Sequence, residues 1–281
     1  MDTLSVGIVM RTKNRAVLLR RAMESVLNQR YQNWQLVIVN DGGLPEEVEF
    51  LVQHYAESLK GRVRVIHNPQ SLGMEAASNL ALKDLNSDLA VVHDDDDTWS
   101  PEFLARMITV YAMEKRRFPK VGGIVCHSNK VVEQVEGNLI TIEQLEHYNQ
   151  WIQPGVISLE RMCECNMFPP ISFLFELAVC KQIGQYNEML TPQADWDFNV
   201  RFMLERDIWL LSESLAFYHH RQNASGDLSN TVVAGVEQHY LLRKMMDNEW
   251  LRNDIKAGRF GLGAFVALRS LLGTISYKLD K

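Results

Sequence analysis

From Leu4 to Arg117, short apolar runs alternate with segments whose apolar residues recur at helical spacing. Leu4–Met10, Trp34–Val39, Val63–Ile66 and Leu89–Val92 are apolar without strict alternation, as expected of strands covered on both faces. Between them, Leu18, Leu19, Ala22, Met23, Val26 and Leu27 mark one helix, and Val48, Leu51, Val52, Tyr55 and Leu59 mark a second. Met74–Leu85 reads as a small-residue helix, and Pro101 sits in the first turn of a long one running to about Arg117. This βαβα order predicts an α/β fold, with a mostly parallel central sheet flanked by helices.

The rhythm changes at Val121. Val121–Cys126 is a further strand, Lys130–Val135 and Leu139–Ile142 bracket Glu136-Gly137-Asn138 as a hairpin, and Trp151–Pro170 is irregular. Helices are expected at Glu176–Ile183 and from Trp196 to about Glu205, with strands at Ile208–Leu211 and Ala216–Tyr218. From Val232 onward the pattern is helical. These shifts divide the chain into residues 1–120, 121–230 and a helical tail, 231–281.

With 281 residues the chain can bury a sizeable core without disulfides or a structural metal. Cys126, Cys163, Cys165 and Cys180 lack the spacing of a zinc site or a disulfide framework and are expected to be free thiols of a reducing, cytoplasmic compartment. A net charge of -6 argues against nucleic acid as a partner. Met1–Met10 reads as a strand rather than a leader, and Arg269 interrupts the apolar stretch Phe260–Ile275, which is too short to span a bilayer.

In an open parallel sheet, ligands bind beyond the carboxyl ends of the strands. Thr12 and Asn14 follow the first strand, Asp41 the second, and Asp94-Asp95-Asp96-Asp97 the fourth. Read as an extended segment, the run points Asp94 and Asp96 one way, Asp95 and Asp97 the other. Adjacent carboxylates repel, and a hard divalent cation with oxygen ligands relieves that repulsion. A solvated acidic loop ahead of the Pro101 helix is the plainer reading; placement at the end of an apolar strand favours the metal.

These residues carry a resemblance. Thr12-x-Asn14-Arg15, Asn40-Asp41-Gly42-Gly43, Asn68-Pro69 with Leu72-Gly73 and Asn79, and D-x-D-D-x-W-x-P at Asp94–Pro101 occur in the order seen in family 2 glycosyltransferases of the GT-A fold. The likeness is strong over about the first 120 residues and weaker to about His220. It implies a Rossmann-like GT-A sheet with a helical C-terminal extension, and inverting transfer from a nucleotide-diphosphate sugar, a UDP-sugar foremost, to a carbohydrate or lipid-linked acceptor in bacterial polysaccharide or glycoconjugate assembly. Thr12 and Asp41 would meet base and ribose, Asp95 or Asp94 the ribose side, and Asp96 the Mn²⁺ or Mg²⁺ that bridges the diphosphate. Asn14, Arg15 and Asn79 fall in the same donor motifs. Asp195, in Ala194-Asp195-Trp196-Asp197, would be the base. It would also N-cap the helix at Trp196, whose dipole would keep it ionised.

Three departures qualify the likeness. Ser78 and Glu176 stand where the family often has Arg, and Ala194 replaces an acidic neighbour of the base. Arg11, Lys13, Arg15 or Arg221 could supply the missing cation for the donor. His219 and His220, after the last strand, are candidate metal ligands, and Trp196 a candidate sugar platform. The tail mixes Lys244, Arg252, Lys256, Arg259 and Arg269 with Phe260, Phe265, Leu271 and Leu272. It could lie on the inner face of the membrane, bind a second copy, or dock on its own domain. Asp94-x-Asp96-x-Thr98 also spells the D-x-D-x-T of haloacid-dehalogenase-like phosphatases, although that motif normally follows the first strand. The other rivals are a sugar nucleotidyltransferase, for which the loop after the first strand lacks glycine, and a non-catalytic nucleotide-sugar-binding module.

Overall fold

The apolar runs become the centre of a ten-stranded mixed sheet, in a computed structural model describing residues 3–137, 139–221, 226–228 and 236–279. β1 (Val6–Thr12), β2 (Trp34–Asp41), β3 (Val63–Asn68) and β4 (Leu89–Val92) are parallel, in the order β3-β2-β1-β4. Register pairs Thr12 with Asn40 and Asp41 with Asn68. The polar residues that follow each apolar run therefore share one edge.

Beyond β4 the sheet changes direction. β9 (Phe173–Glu176) runs antiparallel between β4 and β6 (Val121–Glu136), and β6 pairs in parallel with β10 (Asp207–His220). β5 (Thr98–Trp99) and β8 (Gly155–Val156) add to β10, and β7 (Leu139–His147) extends from β6 as the expected hairpin, whose Asn138 lies outside the described residues. Several expectations change here. The two strands expected from Val121 to Val135 are one, and so are those from Ile208 to Tyr218. The second merger passes through register shifts between Leu211 and Ala216, where a bulge absorbs the polar Ser212-Glu213-Ser214 that reads in sequence as a break.

The helices follow their apolar spacing: α1 (Ala16–Leu27), α2 (Pro45–His54), α3 (Ala56–Leu59), α4 (Met74–Asp84), α5 (Phe103–Arg117), α6 (Leu159–Glu164), α7 (Leu177–Gln182), α8 (Ala194–Glu205), α9 (Val236–Ala257) and α10 (Leu262–Leu279). The expected second helix is interrupted at Tyr55, and Pro101 sits in a turn just ahead of α5. In the stretch expected to be irregular, Ser158 caps α6 by accepting from the Arg161 amide at 3.2 Å. Residues 232–235, the start of the expected helical tail, lie outside the described residues.

Alternate residues of the strands feed two cores. Ile8, Met10, Leu36 and Ile38 pack with α1, α2 and α5 on one face; Val9, Val37 and Val39 pack with α4, α7 and α8 on the other. The second core holds an aromatic group of Phe168, Phe173, Phe175, Phe198 and Phe202, with neighbouring ring centroids 5.1 to 6.5 Å apart. The tail docks on this side. Leu262, Phe265 and Val266 meet the core, Arg243 donates to the Cys163 carbonyl at 2.7 Å, and Arg269 pairs with Glu160 and Glu164. Leu268, Leu271 and Leu272 stay exposed, and no helix among the described residues is long and apolar enough to cross a membrane.

Phe198 is wholly buried and touches Phe173, Phe175 and Tyr186. Phe198→Ala leaves a cavity where β9 joins α8, and should cost roughly 3 to 5 kcal/mol, read from the urea unfolding midpoint.

Candidate active site

Loops at the carboxyl ends of β1 to β4 open on a cleft of about 320 Å³, whose lining includes Thr12, Arg15, Asp41, Asp94, Asp96 and Asp195. The structure thus brings together residues from both halves of the chain. Six of the expected site residues line the cleft; Asn14, Asn79, Asp95, His219, His220 and Arg221 do not.

Asp41 shapes one wall. Its carboxylate accepts from the Asn68 amide nitrogen (2.8 Å), the Ser71 hydroxyl (2.7 Å) and the backbone amides of Leu72 (2.9 Å) and Gly73 (3.0 Å). Burial alone would raise its pKa, but these donors outweigh it and hold the carboxyl below its ordinary value. Four donors fill the lone pairs of a carboxylate, so Asp41 acts by fixing the loop that follows β3. Gly42 and Gly43 let the backbones approach: a Cβ on Gly42, at φ +79°, would lie 2.4 Å from the Ser71 nitrogen, and one on Gly43 would lie 2.8 Å from the Asn14 nitrogen.

The acidic run is folded into a turn, so simple alternation fails. Asp94 and Asp96 face the cleft as expected, and Asp95 is fully buried against Arg15, with 2.7 Å between them. Carboxylate oxygens of Asp94, Asp96 and Asp97 lie within 4.8 Å of one another, an all-oxygen set that suits a hard divalent cation. Asp97, which sequence reading left out of that set, is positioned by the His219 amide at 2.8 Å. Burial and the neighbouring carboxylates push the Asp97 pKa well up and that of Asp95 to about 6, in spite of Arg15.

Guanidinium groups answer these charges. Arg11 grips Asp94 with a two-pronged contact (2.7 and 3.1 Å), while its third nitrogen donates to the Met74 carbonyl and the Ser78 hydroxyl at 3.0 Å each. Arg11 thereby reaches the place where the family motif often has Arg and this chain has Ser78. Arg15 contacts both Asp95 and Asp96, and Arg221, fully buried, contacts Asp96 and, at 3.1 Å, Glu133. Arg221 was expected to meet the donor directly; in this structure it is turned onto Asp96. Glu133 also accepts from Arg21 at 2.5 Å and from His219 at 2.7 Å. Burial would raise Glu133, and these partners reverse the shift and hold it at about 2.

The two histidines expected as metal ligands make other contacts in this structure. An ionised Glu133 can only accept, so His219 donates through Nδ1, and its Nε2 accepts from the Thr98 hydroxyl at 2.9 Å. Both ring nitrogens of His219 are thus hydrogen-bonded in this arrangement. His220 turns its ring against Tyr218, 4.3 Å between centroids, outside the acidic group. Asn14 and Asn79 also serve the scaffold. Asn14 accepts from the Leu44 amide at 3.0 Å at the start of α2, and Asn79 bonds both the amide (3.0 Å) and the carbonyl (2.9 Å) of Tyr186.

Asp195 lines the same cleft as Asp94 and Asp96. It lies inside the first turn of α8, whose N-cap is Gln193, and accepts from Trp196 N–H (2.8 Å) and the Asn166 side-chain amide (2.7 Å). Burial outweighs these donors and raises its pKa to about 6, so the expectation that the helix dipole dominates is reversed. Trp196 is core: its ring nitrogen donates to the Met162 carbonyl at 2.6 Å and Arg243 covers its face at 4.0 Å. Glu133 and the cleft residue Tyr218 escaped sequence reading. A lone acid in the otherwise apolar run Val131-Val132-Glu133 was the available signal for the first.

The sequence matches the family model for glycosyl transferase family 2 over residues 7–151, and the chain belongs to that family. It is 37% identical over 101 residues to the putative colanic acid biosynthesis glycosyl transferase WcaA of Escherichia coli K12, covering 36% of this chain and 35% of that protein. It is 24% identical over 175 residues to the E. coli UDP-Glc:alpha-D-GlcNAc-diphosphoundecaprenol beta-1,3-glucosyltransferase WfgD, covering 62% and 66%. The match thus spans about a third of one relative and under two thirds of the other. Among solved structures, S. aureus TarS 1-349 in complex with UDP-GlcNAc superposes with a TM-score of 0.66 at 18% identity, covering 88% of this chain and 67% of that one. The Pyrobaculum calidifontis mannosyltransferase PcManGT, in complex with GDP-Man and Mn²⁺, gives 0.58 at 13% identity over 96% and 81%. The fold is that of the GT-A glycosyltransferases.

Asp41→Asn should lower stability at pH 7 by about 2 kcal/mol, the scale of a lost charged hydrogen bond, because its NH₂ meets donors. Since the native carboxyl titrates below its ordinary value, the gap between wild type and variant should persist at neutral pH and close as the pH falls below about 4, read from melting temperatures.

Proposed function

We propose that this chain transfers a sugar from a nucleotide-diphosphate sugar to an acceptor hydroxyl with inversion at the anomeric carbon. The observation that carries the reading is one cleft lined both by Asp195 and by Asp94 and Asp96 of the acidic loop. Asp195, at about 6, is ionised at neutral pH yet basic enough to take a proton from an attacking hydroxyl. The Trp196 amide and Asn166 fix its carboxylate, so the receiving oxygen is oriented before the acceptor arrives.

Residues 1–120 form the donor half in this reading. Thr12 and the loop fixed by Asp41 border the nucleoside, and Arg11, Lys13 and Arg15 present positive charge beside the diphosphate. A divalent cation, Mn²⁺ or Mg²⁺, on Asp94, Asp96 and Asp97 would neutralise charge developing on the leaving diphosphate. A UDP-sugar is the first choice of donor, in line with the UDP-GlcNAc bound by TarS. Residues 121–230 receive the acceptor, a carbohydrate or lipid-linked sugar as the name of WfgD suggests for that relative, and polysaccharide or glycoconjugate assembly is the setting. The tail, whose helices α9 and α10 dock on the core and leave Leu268, Leu271 and Leu272 exposed, would hold the cytoplasmic enzyme against the inner membrane face or a second copy. The D-x-D-x-T of haloacid-dehalogenase-like phosphatases normally follows the first strand of its domain, whereas Asp94 here follows β4.

Asp195→Asn should lower kcat by about 10² to 10⁴ while the affinity for UDP with Mn²⁺, measured by calorimetry, stays within about twofold. In the wild type, kcat should fall as the pH drops through about 6, because the protonated carboxyl cannot accept the hydroxyl proton. A pH-independent kcat, or full turnover by the variant, would remove Asp195 from the role. Asp96→Ala should abolish the Mn²⁺-dependent part of UDP binding, and unchanged calorimetric affinity would count against the acidic loop.

A further inference from the structure

The guanidinium groups behind the acidic loop form an alternating chain with its carboxylates. Asp95 meets Arg15, Arg15 meets Asp96, Asp96 meets Arg221, Arg221 meets Glu133, and Glu133 meets Arg21. Asp96 therefore sits between two cations on the very group that faces the cleft. Along this chain three carboxylates meet three guanidiniums, and Arg11 meets Asp94 beside it; with Asp97 the assembly holds five carboxylates and four guanidiniums, one formal negative charge in excess. A dication entering alone would turn that single negative charge into a single positive one and would compete with two guanidiniums for Asp96. A nucleoside diphosphate ester brings one negative charge on each phosphate, so cation and ester together leave the balance unchanged.

Resting on the donor reading above, we infer that Arg15 and Arg221 are an internal counter-cation for Asp96: both hold it in the donor-free protein, and Arg15 turns to the diphosphate oxygens when a cation takes Asp96. Arginine suits both partners, because one planar fork matches a carboxylate and a phosphate alike. The two residues differ in freedom. The Arg15 side chain is 19% exposed and comes from the loop after β1, whereas that of Arg221 is 1% exposed and braced by Glu133 and by the Leu228 carbonyl at 2.8 Å. Arg15 is thus the mobile half of the clamp, and Arg221 sets where Asp96 waits. The consequence is coupled binding: cation alone binds weakly, and cation with nucleotide binds well.

The test uses Mn²⁺ as probe, followed by the free-ion paramagnetic resonance signal, on wild type, Arg15→Gln and Arg221→Lys, each checked by thermal melting. Without nucleotide, Arg15→Gln should bind Mn²⁺ roughly tenfold tighter than wild type, the scale of one displaced charged hydrogen bond. With UDP added, the same variant should bind the Mn²⁺-UDP pair more weakly than wild type does. Arg221→Lys keeps the charge but cannot bridge Asp96 and Glu133, so it should also tighten Mn²⁺ alone, and it carries the test if Arg15→Gln fails to fold. Mn²⁺ alone binding no tighter to either folded variant would overturn the clamp. If UDP binds to none of the proteins with or without Mn²⁺, the donor reading fails instead, and the nucleotide-free comparison still decides the role of Arg15 and Arg221.

Discussion

The site is held by the alternation of charge from Asp95 through Arg15, Asp96, Arg221 and Glu133 to Arg21. Charged groups with little access to solvent are costly unless each has a partner of opposite sign with hydrogen bonds in place. Here the six residues come from five places in the fold: the loop after β1, the loop after β4, which gives both Asp95 and Asp96, the end of β10, β6 and α1. The ion pairs therefore do two things together. They neutralise Asp95 and Asp96 inside the acidic run, and they fasten the loops after β1 and β4 to β6 and the end of β10.

The sheet topology supplies the other half of the site. Four parallel strands alone would present Thr12, Asp41 and the acidic loop along an open edge. Beyond them lie antiparallel β9 and the return of β10 beside β6, and Asp195 of α8 lines the same cleft as residues a hundred positions earlier in the chain. Desolvation on the inner side of α8, rather than the dipole at its start, then sets the basicity of Asp195. The helix gives it orientation through the Trp196 amide.

The parallel half of the fold was legible residue by residue, because period and polarity are local properties: apolar runs marked β1 to β4, and the polar residues after them marked the edge. Position within the site was less legible. Thr12, Arg15, Asp41, Asp94, Asp96 and Asp195 were readable as cleft residues, whereas Asn79 and His219 looked equally suitable and are spent on neighbouring backbone and on Glu133. A motif records which residue type follows which strand. Which lone pair is still free depends on what the rest of the chain brings near.

By itself the sequence determined the α/β class, the strand-end placement of the carboxylates and the family, since each rests on spacing along one stretch of chain. Tertiary structure alone decided that Asp95 is buried, that Asp97 joins Asp94 and Asp96, that Arg11 reaches Ser78, and that Glu133 anchors Arg221. Those outcomes depend on burial and on charges supplied by distant segments. Coulomb energies at short range in a poorly solvated site are far larger than any preference a local pattern encodes.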